Sequence, residues 1–288
     1  MIIDIHTHIF PDKIAYDTLR HMEQMIYKCQ GIKVDAEATA LRSDLSRTSI
    51  DAGIDKSIIC PVATNITQPE KLNALASKIN ETTDETHLFS FGAIHPDNEN
   101  YKEIIDDVVA RDLKGIKLHP DYQDTLFSDI KYQRIVDYAA EKDLVIVIHA
   151  GEDIGIPAQI HCTPDMILDM HKHMQPEKLV LAHMGGWRMW DEVEEKLVGL
   201  PYYLDSAICL NRNVKIHMEN DQFVRMVRNH GVDKVLFGTD SPWYDQARAI
   251  EDIRSTGLTD EELDLVLGDN ANHLIFGEQS SNITVLPK

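Results

Sequence analysis

The chain has 288 residues, of which 43% are hydrophobic and 26% are charged, a composition typical of a globular protein rather than a disordered one. Its formal net charge is −20 at pH 7, which argues against nucleic acid and anionic membrane surfaces as main partners, because binding to both depends on clustered Lys and Arg. A small-molecule substrate is compatible with this charge, since a substrate responds to local charge and not to the total.

The N-terminal residues MIIDIHTHIF carry neither the basic nor the apolar region of a signal peptide, and no apolar run approaches ~20 residues. We therefore expect a cytoplasmic protein without a membrane span. The cysteines lie far apart and form no CxxC pair, which favours reduced thiols; they are Cys29, Cys60, Cys162 and Cys209.

Eight short apolar runs recur along the chain, at 2–5, 57–60, 88–94, 115–118, 144–148, 179–182, 202–204 and 235–237. Most are β-branched or apolar on both faces, as is typical of buried parallel strands. Segments with helical periodicity separate them, at 101–112, 129–142, 165–173, 191–198, 221–230 and 247–256. This alternation predicts a (β/α)8 TIM barrel formed by a single domain, 1–288. A doubly wound open sheet is the alternative, but no glycine-rich phosphate loop follows the first run.

Local signals mark where two of the later helices begin. Thr163 and Pro164 are typical of the N-cap and the first helical position. Thr259 followed by Glu262 is a capping-box pattern, which predicts a C-terminal helix that extends through about Phe276.

The segment at about 10–55 is too long for one βα unit. Within it, 21–33 and 36–47 have helical patterns, and the first of these carries Met22, Met25, Ile26 and Tyr27. We predict a helical insertion at the barrel rim. It is either a lid over the mouth of the barrel or a solvated helical hairpin.

Polar residues terminate four of the predicted strands. His6 and His8 end the first run two residues apart, so their side chains should point to the same face. His149 ends the fifth run, His183 the sixth and Asp240 the eighth. Because the carboxyl ends of barrel strands surround the active site, these side chains should meet there. Neutral imidazoles with one carboxylate favour a Zn²⁺ site, and Mn²⁺, Fe²⁺ or Co²⁺ fit the same ligands.

Lys117 and His119 lie two residues apart on the fourth run, so both should face the barrel interior. Three interpretations of Lys117 stay open: a carboxylated lysine that bridges a second metal, an ammonium that binds an anionic substrate, or an ion pair with an interior acid such as Asp4 or Asp205. His119 is predicted to hydrogen-bond a substrate carbonyl or carboxylate. His95, which ends the third run, is a weaker candidate for the same region.

Four residues follow the strand-end histidines closely enough to line the pocket or to form its rim scaffold: Glu152, Asp153, Trp187 and Arg188. We favour scaffolding for this group as a whole. Trp187 is the member that we assign to substrate binding.

Together these motifs resemble the metal-dependent amidohydrolase superfamily, in particular the family 2 branch that contains the aminocarboxymuconate-semialdehyde decarboxylase-like enzymes. The matching segments run nearly from end to end of the chain: Asp4-Ile-His6-Thr-His8, Gly115-Ile-Lys117-Leu-His119-Pro120, Ile148-His149-Ala-Gly151, Leu181-Ala-His183-Met-Gly185-Gly186, Phe237-Gly-Thr-Asp240-Ser-Pro242 and Gly268-Asp-Asn270-Ala271. Each segment alone is weakly diagnostic, whereas the whole set is specific.

The resemblance implies roles for individual residues. One metal would be held by four strand-end side chains, namely His6, His8, His149 and Asp240. His183 would act as the acid–base or substrate-orienting residue. In binuclear members of the superfamily, a carboxylated lysine on the fourth strand bridges two metals, and the sixth-strand histidine becomes a ligand. Lys117-Leu-His119 is similar to the urease version of that strand, but the decarboxylase branch usually lacks this lysine, so one metal and two metals both stay open.

The leading hypothesis is hydrolysis of a small, carboxylate-bearing substrate by a metal-activated water. Asp240 would accept the proton of the water and pass it to the leaving group, while His183 and His119 would stabilise the oxyanion. The alternative is non-oxidative decarboxylation of a small unsaturated or aromatic acid, and a third hypothesis is a non-catalytic binding protein. Because members of the family often form dimers or tetramers, a homo-oligomer is also expected.

Overall fold

The computed structural model describes residues 1–156 and 159–277. Within these residues lie nine strand segments: β1 (Ile3–Thr7), β2 (Lys56–Ile59), β3 (Leu88–Ser90), β4 (Gly92–Ala93), β5 (Gly115–Leu118), β6 (Val145–Ile148), β7 (Leu179–Leu181), β8 (Tyr203–Asp205) and β9 (Val235–Leu236). All of their pairings are parallel, and they follow one another around the molecule in sequence order, from β1 to β3 and from β4 to β9.

The strands close into a barrel. Phe91 alone separates β3 from β4, so these two segments occupy one strand position and join the two halves of the sheet. At the other edge, the Ile5 N–H donates to the carbonyl oxygen of Phe237 at 2.9 Å, and Thr7 forms a parallel bridge with Ser241. The predicted (β/α)8 TIM barrel is therefore confirmed, and the open-sheet alternative is wrong.

The described residues also form helices between the strands and after the last one: α1 (Asp12–Gln30), α2 (Arg42–Asp51), α3 (Pro69–Asn80), α4 (Thr83–Thr86), α5 (Tyr101–Ala110), α6 (Ile130–Glu141), α7 (Pro164–His171), α8 (Trp190–Lys196), α9 (Asn220–His230), α10 (Gln246–Arg254), α11 (Asp260–Asp264) and α12 (Asn270–Phe276). Both predicted helix starts are confirmed. The Thr163 side chain accepts a hydrogen bond from the Met166 N–H, and Thr259 and Glu262 form a capping box. A π-helical turn (Leu265–Asp269) joins α11 to α12, so the C-terminal helix reaches Phe276 as predicted.

The strands are apolar on both faces because each of them separates two hydrophobic layers. On β6, Val145 and Val147 pack among the side chains inside the barrel, whereas Ile146 and Ile148 pack against the helices outside it. Lys117 on β5 is in register with Val147, so its side chain also enters the barrel. A lysine that is 0% exposed in such surroundings is rare unless it has a specific partner.

A β-bulge aims one histidine into the barrel. The register of β1 against β2 shifts between Asp4 and Thr7, which indicates the bulge. As a result two consecutive side chains enter the interior: Ile5 packs in the inner cluster, and His6 Nε2 lies 2.8 Å from Lys117 Nζ. A regular strand would point these two side chains to opposite faces.

Two helices, α1 and α2, occupy the long segment between β1 and β2. α1 begins at Asp12, earlier than the predicted 21–33 helix, and it ends where Gly31 adopts a left-handed φ of 65°. α2 is shifted toward the C-terminus relative to its prediction. The end of α1 contacts the loop after β6, because Gln30 Nε2 donates to Glu152 Oε1 at 2.9 Å.

All four cysteines are free thiols, three of them buried and Cys29 partly exposed, as their spacing predicts. Their sulfurs form no disulfide within the described residues. Among the helices of the same residues, none combines the length and the apolarity that a membrane span requires.

Candidate metal centre

The predicted strand-end residues lie together at the carboxyl end of the barrel. His6 lies in β1, His149 directly follows β6, and His183 and Asp240 lie in the loops after β7 and β9. The last two have φ angles of 59° and 62°, the left-handed region that non-glycine residues seldom adopt. Such a conformation costs ~1–3 kcal/mol per residue and is concentrated at functional sites.

Three of the predicted ligands form one group. Asp240 Oδ1 lies 3.1 Å from His8 Nε2 and 3.7 Å from His6 Nε2. The potential ligand atoms of the three residues all lie within 4.8 Å of one another. The spacing of His6 and His8 along β1 therefore does bring both imidazoles to one carboxylate.

Hydrogen bonds on the far side of the rings fix which nitrogen of three histidines faces the centre. His8 Nδ1 lies 2.9 Å from the carbonyl oxygen of Cys60, and His183 Nδ1 lies 3.1 Å from that of Ala207. A carbonyl oxygen only accepts, so each Nδ1 carries a proton, and in a neutral ring each Nε2 presents a lone pair. His6 Nδ1 likewise donates to Asp205 Oδ2 at 2.9 Å.

His149 does not join the group of His6, His8 and Asp240 directly. Its Nδ1 lies 3.0 Å from His183 Nε2, and its ring stacks on that of His119 at 4.1 Å. His183 in turn lies beside His6, with 5.2 Å between the ring centroids. The sequence-predicted set is thus one continuous cluster, in which His183 connects His149 to the group of three.

Lys117 lies at the centre of this cluster. Its Nζ hydrogen-bonds His6 Nε2, and within the described residues it forms no ion pair with Asp4 or Asp205. Burial lowers the pKa of Lys117, an effect that nearby Cys60 and Asp205 partly oppose. The amine is therefore more easily deprotonated than a surface lysine.

The protonation states suit a cation. Burial alone would raise the pKa of Asp240, but the contact with His8 and the neighbouring His6 and His183 lower it to about 2. Burial, followed by the influence of Lys117, lowers the pKa of His6 well below the ordinary histidine value. Burial also lowers the pKa of His149, with further contributions from His119 and His183. A carboxylate and neutral imidazoles are the forms that bind a divalent metal.

One close contact between two potential ligand atoms indicates that the cluster fits a cation. His8 Nε2 and Asp240 Oδ1 lie 3.1 Å apart, and with a neutral imidazole two acceptors at this distance repel unless a cation or proton lies between them. Histidine nitrogens and one carboxylate oxygen are ligands that Zn²⁺ and Mn²⁺ both accept. His6, His8, Asp240 and His149 are therefore the residues that could hold the ion.

His119 and Asp153 lie beside the metal cluster. His119 Nε2 is 3.5 Å from Asp153 Oδ2, and these two residues with His149 also have the composition of a metal site. The His119 and His149 rings are stacked with an interplanar angle of 13°, so their in-plane lone pairs run nearly parallel and do not converge on one ion. Burial raises the pKa of Asp153 to about 7. This pair is better suited to contact a substrate.

Trp187, the third predicted substrate-binding residue, lies next to the cluster. Its ring is 6.1 Å from that of His183 and only 4% of the residue is exposed. Gly151, with a φ of 85°, allows this approach, because a Cβ atom there would lie 2.2 Å from the Trp187 nitrogen. Arg188 and Glu152 instead form an ion pair at 2.9 Å at the rim.

Sequence reasoning gave no role in the cluster to Asp121 and His161, and it named Asp205 only as a possible partner of Lys117. Asp205 accepts from His6 and ends the seventh apolar run, so the strand-end rule that selected Asp240 could have found it. Asp121 and His161 hydrogen-bond each other beside His149, and they come from separate loops that no sequence pattern links. His95 contacts its own turn, where its Nδ1 accepts from the Asp97 N–H at 3.2 Å.

The fold and this cluster define a TIM-barrel protein in which side chains of the kind that bind a metal ion lie together at the carboxyl end of the strands. The family model described as amidohydrolase matches residues 3–276, so the chain belongs to the amidohydrolase family and is an enzyme. The comparison with curated proteins found no match.

Solved structures share the fold at low sequence identity. The 5-carboxyvanillate decarboxylase of Sphingomonas paucimobilis has a TM-score of 0.64 and 15% identity, and the alignment covers 96% of this chain and 98% of that one. A dihydroxybenzoic acid decarboxylase of a Polaromonas species, with manganese and 2-nitroresorcinol bound, has a TM-score of 0.69, 12% identity and coverages of 98% and 99%. A protein of Acinetobacter baumannii assigned as a 2-pyrone-4,6-dicarboxylic acid hydrolase, with citric acid bound, has a TM-score of 0.62, 14% identity and coverages of 96% and 99%.

Proposed function

We propose that the chain is a metal-dependent hydrolase that acts on a small, carboxylate-bearing substrate. The observation that carries this proposal is the acceptor pair formed by His8 Nε2 and Asp240 Oδ1, 3.1 Å apart, with His6 Nε2 beside it. A divalent ion held by these three residues and His149 would polarise a scissile carbonyl and lower the pKa of a water molecule. We propose Zn²⁺ from the ligand chemistry, and Mn²⁺, which the Polaromonas neighbour binds, is the alternative.

The residues around this centre have separate proposed roles in proton transfer, oxyanion stabilisation and substrate binding. Asp240 is ionised at neutral pH, so its carboxylate is available to accept a proton from the attacking water and to return it to the leaving group. His183 and His119 lie on two sides of His149. His119 Nδ1 accepts from the Tyr122 N–H, so its Nε2–H would donate to the oxyanion that develops on the substrate, and His183 would do so once its Nε2 has taken up a proton. Trp187 would pack against the substrate beside His183.

The number of ions depends on Lys117. A neutral Lys117 amine can attack CO₂ to form a carbamate with loss of a proton, and burial lowers the pKa of this amine in the direction that the reaction requires. With the carbamate, the first ion would keep His6, His8 and Asp240, and the carbamate together with His149 and His183 would provide ligands for a second ion. We propose one ion for the unmodified lysine and two for the carbamate. Metal analysis combined with intact-mass measurement at native pH distinguishes the two states.

Non-oxidative decarboxylation of a small unsaturated or aromatic acid is the second candidate. It is favoured by Asp153, a buried carboxyl group with a pKa of about 7, because decarboxylation requires a group that can protonate the carbon atom left behind at neutral pH. Asp153 lies beside His119, which is proposed to hold the substrate. Two of the structural neighbours described above are decarboxylases.

A His8→Ala variant tests the metal-dependent reaction. Its Zn²⁺ and Mn²⁺ contents should fall well below one ion per chain, and activity on a panel of amides, lactones and aromatic acids should fall in parallel. His95→Ala, which removes a histidine outside the cluster, is the matched control and should retain the metal. Full activity in His8→Ala after loss of stoichiometric metal would contradict the proposal.

Isotopic labelling separates the two reactions once a substrate is found. In H₂¹⁸O, hydrolysis should place one ¹⁸O atom in the product and release no CO₂. Decarboxylation should release CO₂ from the substrate carboxylate and introduce solvent hydrogen at carbon. The first result supports the hydrolase, and the second replaces it with the lyase.

We further propose that the chain is a single domain whose insertion at about 10–55 covers the mouth of the barrel. The hydrogen bond from Gln30 at the end of α1 to Glu152 in the loop after β6 supports this position. A cytoplasmic location is proposed from the free thiols and a homo-oligomer from the family resemblance. Limited proteolysis within 31–41 and size-exclusion chromatography with light scattering test the lid and the assembly.

A further inference from the structure

We propose that Asp121, held in place by His161, is a positioning residue that fixes the tautomer of His149 and directs His149 Nδ1 to the metal. This inference rests on the proposed metal site. Asp121 lies in the loop after β5 and His161 in the loop after β6, and their exposures are 5% and 8%. Neither residue belongs to the motifs from which the metal site was predicted.

The orientation of His149 differs from that of the other cluster histidines. His8 and His183 each donate Nδ1–H to a backbone carbonyl, which leaves Nε2 to face the centre. His149 is turned the other way: its Nδ1 faces His183, and its Nε2 points outward to Asp121 Oδ2 at 3.9 Å. Its inner nitrogen is therefore Nδ1, and a metal can bind there only if the proton lies on Nε2.

Two buried atoms show where that proton belongs. His149 Nε2 and Asp121 Oδ2 are both buried and have no hydrogen-bond partner in the described part of the chain. A proton on Nδ1 would leave a nitrogen lone pair facing a carboxylate, two acceptors with no donor between them. A proton on Nε2 gives Asp121 a donor to face and leaves the Nδ1 lone pair directed at His183 Nε2, 3.0 Å away, so this is the tautomer that accommodates a metal ion between the two nitrogens. The separation is ~1 Å longer than a hydrogen bond, so the contact in this structure is electrostatic.

His161 holds the carboxylate in the orientation that this requires. Asp121 Oδ1 accepts from His161 Nδ1 at 2.9 Å and from the His161 backbone N–H at 3.3 Å. The His161 carbonyl oxygen in turn accepts from the Phe127 N–H at 2.8 Å, which ties the two loops together. One carboxylate oxygen is therefore occupied, and the other is directed at His149. A carboxylate behind a metal-binding histidine fixes its ring and raises its basicity.

Asp121→Asn is an isosteric test of this arrangement. The Asn oxygen would keep the bonds from His161, so the amide N–H groups would face His149 Nε2 and favour the opposite tautomer. In protein loaded with Zn²⁺, which is diamagnetic, and labelled with ¹⁵N-histidine, we expect the wild-type His149 signal, identified by its loss in His149→Gln, to report Nε2–H. In Asp121→Asn it should report Nδ1–H. The affinity for Mn²⁺, measured by electron paramagnetic resonance, should fall ~10–100-fold.

Asp124→Asn is the matched control. Asp124 lies in the same turn and is fully exposed, with its Oδ1 3.6 Å from His161 Nε2. Its φ of 44° is one that Asn tolerates, so this variant should keep both the wild-type tautomer and the wild-type Mn²⁺ affinity. His161→Leu, which frees Asp121 to rotate, is the second variant and should weaken Mn²⁺ binding while the protein still unfolds cooperatively.

Two results would overturn the inference: Nδ1–H on His149 in the Zn²⁺-loaded wild type, or equal Mn²⁺ affinities in Asp121→Asn and Asp124→Asn. A wild-type protein that binds neither Mn²⁺ nor Zn²⁺ would refute the proposed metal site instead. The two failures are distinguishable, because the first is read only from a wild type that binds the metal.

Discussion

Replacing Lys117 with methionine should stabilise the metal-free protein while it abolishes activity. The Lys117 side chain is fully buried, and within the described residues its amine has one hydrogen bond, to His6 Nε2. An ammonium has three donors, so two of them are left without a protein acceptor. Burial lowers the Lys117 pKa, which means that the fold disfavours the charged form. A methionine of similar length removes the buried polar group and fills the same space.

The magnitude follows from two opposing terms. Removing an inadequately paired buried charge gains ~1–4 kcal/mol, as replacements of buried ion pairs by apolar residues do. Leaving His6 Nε2 without its donor costs ~1 kcal/mol. The net gain should be ~0–3 kcal/mol, which raises the Tm by up to roughly 12 °C for a chain of this size. The measurement is urea and thermal unfolding of chelator-treated protein, followed by circular dichroism at neutral pH.

Lys172→Met is the control, since Lys172, directly after α7, is largely exposed and within the described residues pairs only with Asp169. It should change the free energy of unfolding by less than ~0.5 kcal/mol. A Tm for metal-free Lys117→Met below that of the wild type would show that the amine is well compensated in the fold. The reasoning about its lowered pKa would then be wrong.

Three further outcomes are expected. Removing the metal with a chelator should lower the Tm, and Mn²⁺ at 100 times its Kd should restore ~2.7 kcal/mol in the wild type but not in His8→Ala. Gly151→Ala should destabilise the fold severely in urea titrations, since its Cβ would lie 2.2 Å from a backbone nitrogen. Gly199 is the control, because it has a similar φ of 88° and open space around it, so Gly199→Ala should lower the free energy of unfolding by only ~1 kcal/mol. Burial opposes ionisation of Glu37, but its hydrogen bond with Arg248 lowers the Glu37 pKa. The wild type should therefore be more stable than Glu37→Gln at neutral pH, and this difference in the free energy of unfolding should disappear as the pH falls below 4.5.

The barrel and most of the cluster could be predicted because both depend on periodic, local features of the chain. Each buried strand has an apolar run that ends in a polar residue, and parallel strands bring those ends to one rim. His149 and His183 were found in this way, although they are 34 residues apart. The prediction of Lys117 as an interior residue came from the same alternation of faces.

Other features depend on contacts that no local pattern contains. The bulge that sends both Ile5 and His6 inward is a change of register between strands, and it is visible only when β1 is paired with β2. The start of α1 at Asp12 is a different case, because Ala15, Leu19 and Ile26 lie on one buried helical face that the sequence does contain. Asp121 and His161 meet only when two loops fold against each other.

The cluster combines features that each oppose folding when no ion is bound. When the His8 ring is neutral, its Nε2 and Asp240 Oδ1 face each other as two acceptors, and Asp240 and His183 have left-handed backbones. These conflicts lie at strand ends where the surrounding barrel is fully packed, so the stability of the core maintains them. A cation between the acceptors would convert repulsion into coordination. The same contacts and backbone conformations that destabilise the metal-free protein should therefore contribute to its metal affinity. Variants that relieve them should show both a smaller destabilisation of the metal-free protein and a weaker affinity for the metal.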